Sequence, residues 1–470
     1  MSNGWRVPAG RLAHRATRPL PMAVVAVAVA GLVLWWSVEE GMRQQRKHDG
    51  IKLGAAPLVA RDDAQGWNWR FTWPVPVLLV LVALLGFTVW RGCWARWSTR
   101  RVLAAAGVGS IVFGVLLALI DGIEGLTYGT EHRTEYLANL QLMPPAGEFV
   151  RTFVANIDGY TVHARGHPPA FLLQLQLMDR IGLGGVWPLV VLTVLCVGVT
   201  AVAVLWVVHR VAGASWVRRV APFTIVAPFA IWMVTSGDTV FTAVAAVGAA
   251  LVAEALHRGA RDARCGVVAG FVGGAALGWL MFLSYLGALF LAVPGALVLR
   301  ALVRREGRRP WAALAAAVAG GSAVIGAFAA AGFWWFDGVD VTRREYLEGT
   351  AQFREWYYFR IGNLGAALMA LGPAVVVGVA WLRDRRVWWV VGGAAVALAT
   401  SHLSTYTKAE VERIWLPFYP FLLVAAAGVA YGLESNTATA RRWVLWLPAA
   451  AVVAQGVYTI VLQSALVTKW

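Results

Sequence analysis

Asp121–Phe171 reads DGIEGLTYGTEHRTEYLANLQLMPPAGEFVRTFVANIDGYTVHARGHPPAF, the longest polar interval in a chain otherwise dominated by apolar runs. It opens at the end of one apolar run and closes on Gly166-His167-Pro168-Pro169, where apolar sequence resumes. Carboxylates at Asp121, Glu124, Glu131 and Glu135 share it with His132, His163, His167 and several arginines. A loop needs no such mixture merely to be solvated, so chemistry is expected here.

Outward from this stretch the chain is built for lipid. Of 470 residues, 59% are hydrophobic and only 14% charged, whereas soluble domains are nearer half apolar and a quarter charged. Runs long enough to cross a bilayer fall at 22–38, 72–91, 102–120, 186–209, 219–235, 239–256, 265–282, 285–303, 311–333, 363–382, 387–403, 414–432 and 443–461. That predicts an all-α polytopic membrane protein with about thirteen transmembrane helices. The apolar piece 170–178 is too short to span and predicts a re-entrant or interfacial helix.

The net charge of +16 does not point to nucleic acid, because its placement follows topology. Basic clusters occupy alternate loops: Arg6 to Arg18, Arg91 to Arg101, Arg210 to Arg219, Arg258 to Arg264, Arg304 to Arg309, Arg383 to Arg386, and Arg441 with Arg442. All fall on one side if the N-terminus is cytoplasmic, as the positive-inside rule requires. The expected location is the plasma (inner) membrane, with 39–71, 121–185, 236–238, 336–362 and 404–413 on the extracytoplasmic face. Cys93, Cys196 and Cys265 lie in inner loops or spans, which argues against a disulfide framework, and their spacing offers no metal site.

Residues 1–101 read as an accessory two-span front end, 102–432 as the core, and 433–470 as a final span and tail. Trp67, Trp69 and Trp73 precede a span as an interfacial belt would. Asp121, a carboxylate at the hydrocarbon boundary, reads either as a site residue or as a helix-ending cap. Glu131 and Glu135 are four apart, so a helix there puts both on one face, as base and orienting group or as partners of His132 and Arg133. Pro144-Pro145 ends that helix, and 148–157 reads as a short amphipathic segment on the membrane surface. His163 and His167 flank Arg165 at a stiff Pro-Pro turn suited to a phosphate or a sugar hydroxyl. Asp238 reads as the N-cap of the following span or as a ligand group of the same cavity. Gly-rich 273–278 implies close helix packing.

Two later outer loops add candidates. The stretch from Gly332 to Asn363 combines aromatics with Arg343, Arg344, Arg354 and Arg360, either as a platform with anion contacts or as a belt with snorkelling arginines. Arg413 stands at a span mouth on the side poor in basic clusters, so it needs an anionic partner: Glu410, Glu412 or a lipid-borne phosphate.

The acidic first outer loop with Asp121 at its head, Glu131 or Glu135 with Tyr136, the His167-Pro168-Pro169 turn and the GFWWFDG, Tyr357-Tyr358 to Asn363 and EVERIWLPF stretches together resemble the GT-C fold integral membrane glycosyltransferases. The nearest likeness is to the protein O-mannosyltransferase and lipid A aminoarabinose transferase group, and to a bacterial branch of that superfamily. It covers roughly 102–432 and departs at one point: His132-Arg133 stand where those enzymes carry an adjacent Asp-Glu pair. The resemblance implies a GT-C-like bundle whose large first extracytoplasmic loop contains short interfacial helices. It implies transfer of a sugar from a polyprenyl-phosphate donor to an envelope glycan, lipid or protein acceptor, in one inverting displacement. Asp121, Glu131 or Glu135 would then be catalytic. Tyr136, His163, Arg165, His167, Asp238, Arg354, Tyr358, Asn363, Glu412 and Arg413 would bind substrate. Some members need a divalent cation and others do not; the four acids of the first outer loop could support one, though no ligand spacing establishes it. The competing classes are a transporter or flippase of lipid-linked envelope substrates, expected to carry ionisable groups near the midplane, and a non-catalytic envelope scaffold.

Overall fold

The computed structural model describes residues 19–47, 66–234, 236–258, 262–304, 310–404, 406–430 and 438–467. The N-terminal basic cluster and most of the first charged outer loop lie outside these residues. Among the described residues eight helices are long and apolar enough to cross a membrane: Pro21–Lys47, Thr99–Asp121, Val186–Ala212, Asp238–Arg258, Ala263–Leu283, Gly287–Arg304, Trp311–Ala330 and Trp446–Ala465. The pair Trp356–Leu371 and Pro373–Trp381 passes the same test only when taken together and is bent by 93°, as a broken span or a re-entrant loop would be. Pro74–Trp90, Trp388–Leu403 and Tyr419–Val429 are shorter apolar helices. The chain is thus an all-α, multi-pass membrane protein; against an expectation of about thirteen spans, the described residues hold eight or nine long ones and three shorter apolar helices.

Each departure has a local cause. The run 219–235 is not one span: a helix ends at Ile225 and a 3-10 turn, Pro228–Trp232, follows. Pro228 has no N–H to donate, and the residues around it are buried among other segments rather than facing lipid. At 363–382, Gly372 takes φ +76° and Pro373 starts the next helix. Gln455 of the last span closes this break, accepting from Ala374 N at 2.9 Å and donating to Leu371 O at 2.7 Å. Backbone groups opened inside a bilayer must find such partners.

Small residues set the closest packing. A Cβ on Gly274 would stand 1.8 Å from the Ala317 carbonyl oxygen, and one on Gly270 2.5 Å from that of Ala313. Helices Ala263–Leu283 and Pro310–Ala330 therefore meet backbone to backbone, as the glycine-rich stretch predicts. The front end docks on late segments. Tyr358 Oη donates to Ser37 O at 3.1 Å, and Gly66–Trp67 pairs antiparallel with Leu466–Val467.

Polar contacts at the helix ends sort into two sets. At one end, Arg218 Nε donates to Trp97 O, Trp216 Nε1 to Asp384, Arg300 Nη2 to Val211 O, and Arg210 pairs with Glu254. These are the loops that hold the basic clusters. At the other end, Arg165 pairs with Glu345, Trp335 Nε1 donates to Met281 O, and Arg413 pairs with Asp238.

Candidate functional site

The segment after Thr99–Asp121 does not continue as a single helix through the acids. Glu124–Glu131 is helical and stops there. His132 Nδ1 lies 2.7 Å from Thr134 Oγ1, and Glu135 N donates to His132 O at 2.8 Å, so a turn separates the two glutamates. The expected shared helical face for Glu131 and Glu135 is corrected: Glu131 is exposed at a helix end while Glu135 turns inward and is buried.

Glu135 is then fastened to the histidine segment. Asn139, fully buried, donates from Nδ2 to Glu135 O, Tyr136 O and Thr161 Oγ1 and accepts from Thr161 N at 2.8 Å. Thr161 opens the short helix Val162–Arg165 that carries His163. His167 follows at the Pro-Pro turn, its Nδ1 donating to His163 O at 2.8 Å, which leaves Nε2 facing Asp238 Oδ1 at 3.8 Å.

Asp238 is the first residue of its span, but its carboxylate does not cap that helix. Oδ2 accepts from Ser236 Oγ at 2.8 Å and from Arg413 Nη1 at 2.9 Å. The cap alternative thus gives way to an ion pair with both side chains almost wholly buried, 5% and 7% exposed. Arg413 comes from the loop after Trp388–Leu403, and Asn363 holds that loop by accepting from Ala409 N and donating to Thr407 O. Arg354 Nη1 donates to Lys408 O at 2.7 Å, and its Nη2 to Glu410.

Four stretches distant in sequence thus converge: Glu135-Tyr136, His163 to His167, Ser236 to Asp238, and Glu410 to Arg413 with Arg354. Tyr136 is the hydrophobic wall. Its ring meets His163, His167, Phe171 and Phe241 edge-on, and its buried hydroxyl has no hydrogen-bond partner among the described residues.

Proton placement follows from donor chemistry. His163 Nδ1 is 3.2 Å from Arg413 Nη1 and 3.2 Å from Glu135 Oε1. A guanidinium only donates, so Nδ1 accepts from it and the ring proton sits on Nε2. Glu135 can then bond the same nitrogen only as the neutral acid. The electrostatics agree. Burial pushes Glu135 up to about 7, with Arg413 pulling it down and Asp238 and Glu410 adding to the rise. Burial and the nearby Arg413 hold His163 well below the usual histidine range. Burial lowers His167 too. Arg413 is held charged, the carboxylates of Asp238, Glu135 and Glu410 outweighing the effect of burial. The site is therefore a buried acid poised near neutrality beside a fixed cation.

The other expected residues lie elsewhere. Asp121 pairs with Arg70 at 2.8 Å and accepts from Gln463 Nε2 at 3.0 Å, joining the front end to the last span. Arg165 pairs with Glu345 at 2.8 Å. Tyr358 and Asn363 are buried in helix and loop packing. Glu412 is wholly buried, and its carboxyl bonds no other side chain among the described residues. Asn139 and Ser236 escaped the sequence reading, Asn139 because it stands in an apolar run with no local signal. Glu410 appeared there only as one partner for Arg413. No group of three or more His, Cys, Asp or Glu side chains placed to hold a metal occurs among the described residues.

No family model matches the chain, and no curated protein does. Among solved structures it is similar to one titled "Crystal Structure of ArnT from Cupriavidus metallidurans in the apo state", at 17% identity and a TM-score of 0.40 over 70% of this chain and 74% of that one. A likeness of that degree assigns no activity to this protein.

Proposed function

We propose that this protein is a GT-C-type membrane glycosyltransferase that moves a sugar from a polyprenyl-phosphate donor to a hydroxyl of an envelope acceptor, at the extracytoplasmic face. The observation that carries it is Glu135: a buried carboxyl poised at about 7, held by His163 and Arg413 where four distant stretches meet. A general base works best with a pKa near the operating pH.

In this reaction the acceptor oxygen attacks the anomeric carbon and forms the new glycosidic bond. The bond from that carbon to the phosphate oxygen breaks, and polyprenyl phosphate leaves. The hydroxyl proton passes to the Glu135 carboxylate, which must first be deprotonated, so turnover rises with pH through about 7. Asp238 fixes the Arg413 guanidinium, and Arg413 with Arg354 faces the departing phosphate. Tyr136 and His167 form the wall against which the sugar lies. A transporter would keep its ionisable groups near the bilayer midplane, whereas this network gathers at helix ends: Asp238 begins a span, and Glu135 and Arg413 stand in loops.

The test is purified protein with a panel of radiolabelled polyprenyl-phosphate sugars, scored for hydrolysis and transfer. Activity with one donor, reduced by Arg413→Lys and more by Arg413→Ala, is expected, since lysine keeps the charge and loses the fork. No turnover with any donor overturns the assignment.

A further inference from the structure

Two guanidiniums from different parts of the chain reach one carboxylate. Glu410 Oε1 accepts from Arg354 Nη2 at 3.3 Å, and Glu410 Oε2 from Arg413 Nη2 at 3.5 Å. Both contacts are long for charge-assisted bonds, which settle at roughly 2.7–2.9 Å. The Glu410 side chain is 23% exposed, against 11% for Arg354 and 5% for Arg413, so the carboxylate lies on the solvent side of the pair.

The backbone beneath it is strained. Ala409 has φ +73° and Glu410 φ +57°, left-handed conformations that neither side chain favours. Asn363 on Ala409 N, Tyr346 Oη on Lys408 N and Arg354 on Lys408 O hold it there. Such strain persists only where the surroundings over-determine it, and it collects at ligand clamps. Here the strained turn delivers a carboxylate that neither arginine binds at close range. A tetrahedral phosphate, with oxygens on several faces, can meet the Nη2 groups of both arginines at once where a planar carboxylate is stretched between them.

We propose that Glu410 is a built-in stand-in for phosphate: it holds the anion position between Arg354 and Arg413 until a lipid-borne phosphate displaces it. The stand-in keeps Arg354 paired between turnovers and sets a second anion beside Arg413, which Asp238 already holds, and it makes phosphate binding a competition within the protein. The inference rests on the donor reading above for its ligand, though not on the transfer step.

The experiment measures binding of farnesyl phosphate, farnesol and inorganic phosphate to the full chain in detergent, for the parent protein, Glu410→Gln and Glu410→Asn. Asparagine tolerates the left-handed backbone, so it removes the carboxylate without demanding a new fold if the glutamine variant fails to fold. Loss of the competing charge is expected to tighten farnesyl phosphate by about tenfold, the scale of one close charge pair, with farnesol unchanged. Tightening of inorganic phosphate to the same degree identifies the phosphate group itself as the ligand; tightening of farnesyl phosphate alone identifies the lipid-borne form. Equal or weaker binding by folded variants overturns the proposal, as does absence of phosphate binding in all three proteins. Tighter phosphate binding without sugar transfer by any of the proteins leaves the stand-in intact and removes the glycosyltransferase assignment instead.

Discussion

Replacing Glu412 by glutamine should stabilise the protein, by an amount that grows from near zero at pH 4.5 to its full size above pH 7. Glu412 is wholly buried beside Arg413 in the sequence, yet its carboxyl bonds no other side chain among the described residues. Burial, helped by nearby Glu410, lifts it from 4.5 to about 7. An acid whose pKa is higher folded than unfolded favours the folded state below its unfolded value. That advantage is lost as pH rises through the folded value. A rise from 4.5 to about 7 is worth about 3 kcal/mol at 1.36 kcal/mol per unit. Glutamine keeps the shape and carries no charge. The variant and the parent should therefore melt together near pH 4.5 and separate progressively toward pH 8, the variant melting later. Glu135 titrates in the same window but is present in both proteins, so its contribution cancels in the difference. Melting of the detergent-solubilised proteins across that range is the assay. A constant difference at every pH, or a less stable variant at pH 8, would mean that Glu412 is ionised and paired.

Three further outcomes follow from packing and topology. Gln455→Leu leaves Leu371 O and Ala374 N without partners at the bent span, costing roughly 1–3 kcal/mol for each buried group; melting of the purified variant reads it. Gly274→Leu drives a side chain into the Ala317 carbonyl region and should prevent folding, whereas the same change at Gly326, where an added Cβ meets nothing within 4 Å, should be tolerated; yield of monodisperse protein distinguishes them. A reporter fused after Ala146 should be extracytoplasmic and one after Arg308 cytoplasmic; the reverse would put the Glu135 loop where nucleotide sugars are available.

Long apolar runs made most of the spans legible, because nothing but lipid or neighbouring helices accommodates them. The broken ones were not. Pro228 and the Gly372-Pro373 step are one and two residues in apolar runs, and hydropathy cannot tell a lipid-facing helix from buried irregular backbone whose groups Gln455 or neighbouring segments satisfy. At the site, residue types were legible and partners were not. Arg413 could be said to need an anion; that Asp238 supplies one from 175 residues away was visible only in three dimensions. Asp121 looked chemical because a boundary carboxylate is costly, and its Arg70 partner lay across a segment whose path no periodicity encodes. The i,i+4 logic for Glu131 and Glu135 failed because Thr134 gave His132 a local bond that competes with the helix.

The central claim is that Glu135 takes the acceptor's proton, and the most direct measurement is the pH profile of sugar transfer by the parent protein and by Glu135→Gln with a turned-over polyprenyl-phosphate donor. With Glu135 as the base, kcat/KM rises through about pH 7 in the parent, and a glutamine variant that still binds the donor transfers nothing. Transfer by Glu135→Gln at the parental rate, with the same pH profile, would contradict it.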